Sequence, residues 1–116
     1  MANPKTVKIF CEKYQGIVHP SPLFVTCEDS IEFKAINTAL TIFFPKEKLF
    51  VDEKPYMKLD PQQEKYPRVG KVTLKNKKAL ENLNFKIPGS YPYAVYCENM
   101  NDFAEGNSSP SMIIED

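Results

Sequence analysis

Residues 88–100 read PGSYPYAVYCENM. The turn at Ile87-Pro88-Gly89 leads into an aromatic segment in which Tyr91, Tyr93, Val95 and Cys97 recur at every second position. A period of two places alternate side chains on one face of a strand. The segment is therefore expected to be one long strand, half buried, that ends on Cys97. Beyond it, Asn99 to Pro110 is polar and contains Gly and Ser, as a loop does. Met112 to Ile114 supplies the last strand. Upstream, Phe85 and Ile87 are expected in a short strand. Lys77 to Asn84 is expected to form one helical turn with Leu80 and Leu83 on the same side.

The same alternation organises the N-terminal half. From Thr6 to Lys13, Val7, Ile9 and Cys11 share one side, and Lys8, Phe10 and Glu12 the other. Gly16 is expected to break this strand. His19-Pro20-Ser21-Pro22 is extended but cannot form a full ladder, because proline has no donor. Leu23, Val25 and Cys27 resume the pattern. Glu28-Asp29-Ser30 is a polar turn. Ile31, Phe33 and Ala35 face inward on the next strand, with Glu32 and Lys34 outward. Asn37-Thr38 turns again, and Leu40 to Phe44 runs apolar and aromatic until Pro45. Between Pro45 and Arg68 the pattern is least regular, with four prolines. Asp60-Pro61-Gln62-Gln63 reads there as the start of a short helix, with Asp as N-cap and Pro at the first position. Val69 to Lys75 is again strand-like. Seven to eight short strands separated by turn signals argue for an all-β sandwich in a single domain, 1–116.

Composition narrows the function classes. The 116 residues carry 15 Lys plus Arg and 15 Asp plus Glu, a formal net charge of zero. A phosphate-backbone binder needs a cation excess, so no nucleic acid is expected. The cluster Lys75, Lys77 and Lys78 reads as a solvated turn. No apolar run approaches the roughly 20 residues of a membrane helix. Met1 to Lys8 lacks a charged-then-apolar pattern, which fits a cytoplasmic chain or one whose export signal has been removed. Asn107-Ser108-Ser109 has the form of a glycosylation sequon and is read as a turn. The chain has one histidine, His19, and one arginine, Arg68. No Ser-His-Asp set, phosphate loop or zinc spacing is present, so most acid–base mechanisms lack their parts. An enzyme is not expected. His19, between Val18 and Pro20, has no obvious partner and is read as a loop histidine.

Two stretches carry a family resemblance. His19 to Phe44, HPSPLFVTCEDSIEFKAINTALTIFF, has an apolar-Pro entry, a short strand, an acidic turn, an alternating strand and a loop into an aromatic strand. Phe85 to Ile114 has a Gly-x-Tyr-x-Tyr strand, Cys97, a loop and a closing strand. Together they resemble the cupredoxins, small β-sandwich electron carriers, over about half the chain. The resemblance implies a cupredoxin-like Greek-key sandwich with a short helix or irregular excursion around 45–68. A type 1 copper site uses two imidazoles and a thiolate. Where the family places its histidines, this chain has Leu40 and Met100. With one histidine in all, a two-imidazole site cannot form within the chain. Ala94-Val95 also looks like an insertion ahead of Cys97.

The resemblance thus implies a scaffold without type 1 copper, monomeric and without a cofactor. Its functional end would carry Leu40, Asn99, Met100, Asn101, Asp102 and Phe103, an apolar rim suited to a protein partner. Leu40, Met100, Asp102 and Phe103 are the candidate binding residues. Asp102 and Glu105 flank Phe103 and are read as solvated or as cation or partner contacts. The alternative is a soft Cu(I) carrier through Cys97 and Met100, with Met112 as a further sulfur donor. Of the three cysteines, Cys11 and Cys27 fall on inward faces, and some cupredoxins carry a disulfide in this region. For an exported protein the resemblance leaves a Cys11–Cys27 bond open beside free thiols. In a reducing compartment both are core thiols.

Overall fold

The alternation of Val7, Ile9 and Cys11 with Lys8, Phe10 and Glu12 builds the first strand, β1 (Lys5–Glu12), whose three apolar residues are fully buried. The structure is a computed structural model that describes residues 4–12, 15–59, 68–105 and 109–115. Antiparallel to β1 lies β2 (Gln15–His19), with Cys11 opposite Gly16 and Lys8 opposite His19. On its other side β1 pairs in parallel with β4 (Ser30–Ala35), and β4 pairs antiparallel with β7 (Arg68–Thr73). This first sheet has the order β2-β1-β4-β7.

After β2 the chain leaves that sheet. Pro20 and Pro22, both preceded by cis peptide bonds, interrupt the ladder, and β3 (Leu23–Thr26) joins a different one. The aromatic stretch is divided in the same way. Its first half, β8 (Gly89–Pro92), pairs with the closing strand β11 (Ser111–Glu115), which also runs parallel to β3. Its second half, β9 (Ala94–Cys97), pairs with β5 (Leu40–Phe43) and with the short β10 (Asp102–Phe103), and β6 (Tyr56–Leu59) closes the outer side of β5. At the break the N–H of Tyr93 donates to the carbonyl of Pro110 at 3.0 Å. The other two sheets thus read β3-β11-β8 and β10-β9-β5-β6.

All three sheets turn their apolar faces to one core. Val7, Ile9, Ile31 and Phe33 meet Ile42, Val95, Met112 and Ile114, all fully buried. Burying a side chain of this size contributes about 1.5–3 kcal/mol. The ring of Phe33 stands edge-on to Tyr93 at 5.7 Å, so the first sheet interlocks with the break between β8 and β9. The single short helix among the described residues, α1 (Lys77–Asn82), starts where Asn76 Oδ1 accepts the N–H of Ala79 at 2.8 Å.

The fold is all-β, and the faces expected for β1, β3 and β4 are those observed. Several expectations are corrected. The described residues hold eleven strands instead of seven to eight, because strands break where the chain changes sheet. Gly16 does not end the N-terminal ladder; it lies within β2. A Cβ there would come within 2.8 Å of the Ala104 backbone, so a side chain has no room. Phe85 and Ile87 form no strand. Leu80 is buried, but Leu83 lies past the last helical residue and is 48% exposed. The irregular segment contains β6, hidden from sequence reading by Pro55. The helix expected from Asp60, and the Asn107 sequon, lie outside the described residues.

Candidate functional site

Cys97 ends β9 on the core face, opposite Leu40 of β5. Its sulfur is bonded to Cys11 of β1, with 5.8 Å between the two Cα atoms. The bond joins the first sheet to the sheet that carries β9. Cys11 is therefore not joined to Cys27, which is half-buried and lies outside the bond. Alternation had put both Cys11 and Cys27 on inward faces. It cannot say which inward faces meet across the core. The Cys11 backbone is held from two loops. Asn37 accepts its N–H at 2.9 Å and donates to its carbonyl at 3.0 Å, and Asn99 donates to the same carbonyl at 2.8 Å.

This arrangement sorts the candidate residues. Leu40 is 1% exposed and belongs to the core beneath the loop rather than to its rim. Met100 is half-buried and packs against the same core. Asp102 and Phe103 are exposed on β10, and Asp102 Oδ1 accepts the N–H of Phe103 at 2.8 Å. Glu105 is turned the other way: its N–H donates to Gly16 O and its carboxylate accepts the N–H of Val18. It covers the open edge of β2. His19, exposed at the end of β2, lies opposite Lys8, three ladder positions from the Cys11–Gly16 pair. In the disulfide form Cys97 has no thiolate to offer a soft metal. Among the described residues no group of three or more His, Cys, Asp or Glu is placed to hold a metal ion.

Around Phe103 the structure assembles residues that sequence reading left apart. The Phe103 ring meets Tyr96 of β9 at 5.3 Å and Phe43 of β5 at 6.2 Å, and Phe43 meets Tyr56 of β6 at 6.3 Å. The four rings form a strip across β10-β9-β5-β6. Phe43, Tyr56 and Phe103 are 41%, 50% and 45% exposed. Ala94, opposite Phe43 in the ladder, leaves a low point in the strip. The Tyr96 hydroxyl donates to Asn101 Oδ1, tying the loop after Cys97 to the strip. Tyr96 and Phe43 were legible in part: each occupies the outward position beside an inward residue, Val95 or Ile42. Tyr56 carried no such signal inside a proline-rich segment.

Tyr93, at the break between β8 and β9, is a separate feature. It is only 3% exposed, and its hydroxyl has no hydrogen-bond partner among the described residues. Burial, reinforced by the nearby Glu105 carboxylate, pushes its pKa well above the ordinary phenol value. Leaving a buried polar group unpaired costs about 1–3 kcal/mol. Tyr93→Phe is therefore expected to stabilise the protein by about 1 kcal/mol in denaturant unfolding. A loss of similar size instead would show that the hydroxyl is bonded, for example to a buried water.

No family model matches the chain, and no curated protein matches its sequence.

Proposed function

We propose that the protein is a cupredoxin-like β-sandwich without a type 1 copper site that acts as a protein-binding module rather than as an enzyme. The aromatic strip Tyr96–Phe103–Phe43–Tyr56, exposed at Phe103, Phe43 and Tyr56 and half-buried at Tyr96, is the observation that carries this reading. Contiguous exposed rings are expensive to leave in water, and surface aromatics are enriched where partners dock. Parallel pairing of β1 with β4 and of β3 with β11, with a strand that changes sheet between β2 and β3, supports the family resemblance in the fold. Leu40 and Met100 at the expected imidazole positions support the loss of copper. The disulfide between the sheets supports an oxidising compartment. The contact face moves outward from the core-lining Leu40 and Met100 to Asp102, Phe103 and the rings beside it.

The test uses three single variants in a partner-capture assay. Phe103→Asp and Phe43→Asp are expected to abolish capture, while Val51→Asp, at a 65% exposed position away from the strip, leaves it intact. All three should melt within a few degrees of the parent, since exposed substitutions usually change stability by no more than about 0.5 kcal/mol. Capture that survives both strip variants sinks the reading. The soft-metal alternative, Cu(I) on Cys97 and Met100, is confined to reduced protein. It predicts stoichiometric Cu(I) retention after reduction, lost in Cys97→Ser.

A further inference from the structure

A second surface feature lies away from Phe103, on the flank where the two large sheets meet at their edges. There β6, the edge of one sheet, runs beside β7, the edge of the other. Between them opens a cleft of about 490 Å³, within the range of about 300–1,000 Å³ typical of small-molecule sites. Its floor is apolar: Phe44 and Met57 are half-buried and Val72 is 8% exposed. Its rim is cationic. Lys54, Lys58 and Lys71 line it against a single carboxylate, Asp52. That carboxylate already faces Lys54 at 3.5 Å. Lys58 and Lys71 form no ion pair with any described residue. Glu32 stands across the ladder from Lys71, without closing on it.

We infer that this cleft binds a small amphipathic anion, an aromatic or aliphatic carboxylate. The apolar body lies over Phe44, Met57 and Val72, and the head is held by Lys58 and Lys71. The charges decide the sign of the head group. Lys58 and Lys71 close on no carboxylate among the described residues and so attract an anion, and the one carboxylate in the lining, Asp52, is already engaged by Lys54. The floor decides the body, because a bare inorganic anion would leave Phe44 and Met57 in water. The backbone is shaped to admit the Met57 side chain. A Cβ at Gly70 of β7 would sit 2.4 Å from Met57 Cε and 2.5 Å from Sδ, so only glycine lets Met57 lie across the β6–β7 seam. Methionine is unbranched and adapts to irregular ligands, which suits a wall of such a cleft. The inference does not depend on the aromatic strip as a protein-docking face, although Tyr56 borders both features.

The experiment is a titration of 1-naphthoate into methyl-labelled protein, read at the methionine methyl signals. The chain has four methionines, so the Met57 signal can be assigned by Met57→Leu. A saturable shift at Met57 is expected, with Met112, buried on β11, unmoved. Lys58→Gln/Lys71→Gln should weaken binding at least tenfold. The neutral 1-naphthalenemethanol should bind at least fivefold more weakly than naphthoate, and inorganic phosphate should leave Met57 in place. Gly70→Ala must displace Met57 and should also weaken naphthoate, while Phe103→Asp leaves it unchanged. A Met57 signal that does not move, equal affinity for the neutral alcohol, or undiminished binding in the double lysine variant would each overturn the inference. Loss of naphthoate binding in Phe103→Asp would overturn the placement in the cleft, without bearing on capture by the strip.

Discussion

Replacing Cys11 and Cys97 together by alanine is expected to lower the unfolding free energy by about 3–5 kcal/mol. The two residues are 86 apart in sequence, so the bond closes most of the chain into one loop. Cross-linking distant residues limits the unfolded ensemble, and the effect grows slowly with loop length. Both sulfurs are fully buried, so the double variant also loses packing where Gly16 approaches Cys97. A Cβ on Gly16 would lie 3.2 Å from the Cys97 sulfur, which shows how closely β2 is laid over the bond. For a domain of this size such a loss lowers Tm by roughly 10 °C or more. The measurement is guanidinium unfolding of the oxidised parent beside the double variant, with a non-reducing peptide map to identify the cross-link. The denaturant slope should rise in the variant, because its unfolded chain is no longer held in a loop. A difference below about 1 kcal/mol would mean that the two cysteines are not joined in solution.

Phe33→Ala is expected to cost about 3–5 kcal/mol, the range for emptying a buried aromatic site. Phe33 sits in the middle of β4, fully buried, between Val7 of β1 and Gly70 of β7 in the ladder. Its ring contacts Tyr93 edge-on and Phe44 at 6.2 Å, so removing it takes away contacts to both other layers of the core. The surrounding strands are tied by ladders and by the disulfide and cannot collapse freely into the space. Phe33→Leu keeps most of the volume and should lose clearly less. Equal losses for Ala and Leu would mean that the ring geometry, and not the filled volume, carries the stability at this site.

Much of the fold is legible in short stretches. Val7-x-Ile9-x-Cys11 and Ile31-x-Phe33-x-Ala35 show their buried faces without any tertiary information, because a strand repeats every two residues. The turn at Glu28-Asp29-Ser30 is equally clear: Asp29 Oδ2 accepts the N–H of Thr26 at 2.8 Å, and Glu28 adopts a positive φ of 72°. Legibility fails where a strand changes partner along its length. Tyr91 to Cys97 keeps one alternation, yet β8 pairs with β11 and β9 with β5. It fails again for β6, only four residues long and flanked by Pro55, whose carbonyl accepts the N–H of Phe44.

Local sequence therefore determined the strand faces, the all-β class and the near-neutral charge, since each depends on neighbours along the chain. It also determined that a single histidine cannot supply a two-imidazole copper site. The tertiary structure alone decided that Cys11 joins Cys97 and not Cys27. It brought Phe43, Tyr56, Tyr96 and Phe103 into one strip, and set Lys58 and Lys71 across one apolar cleft from adjoining strand edges. The physical reason is the same in each case. Alternation tells a side chain which way to point, but only the pairing order of the strands determines what it points at.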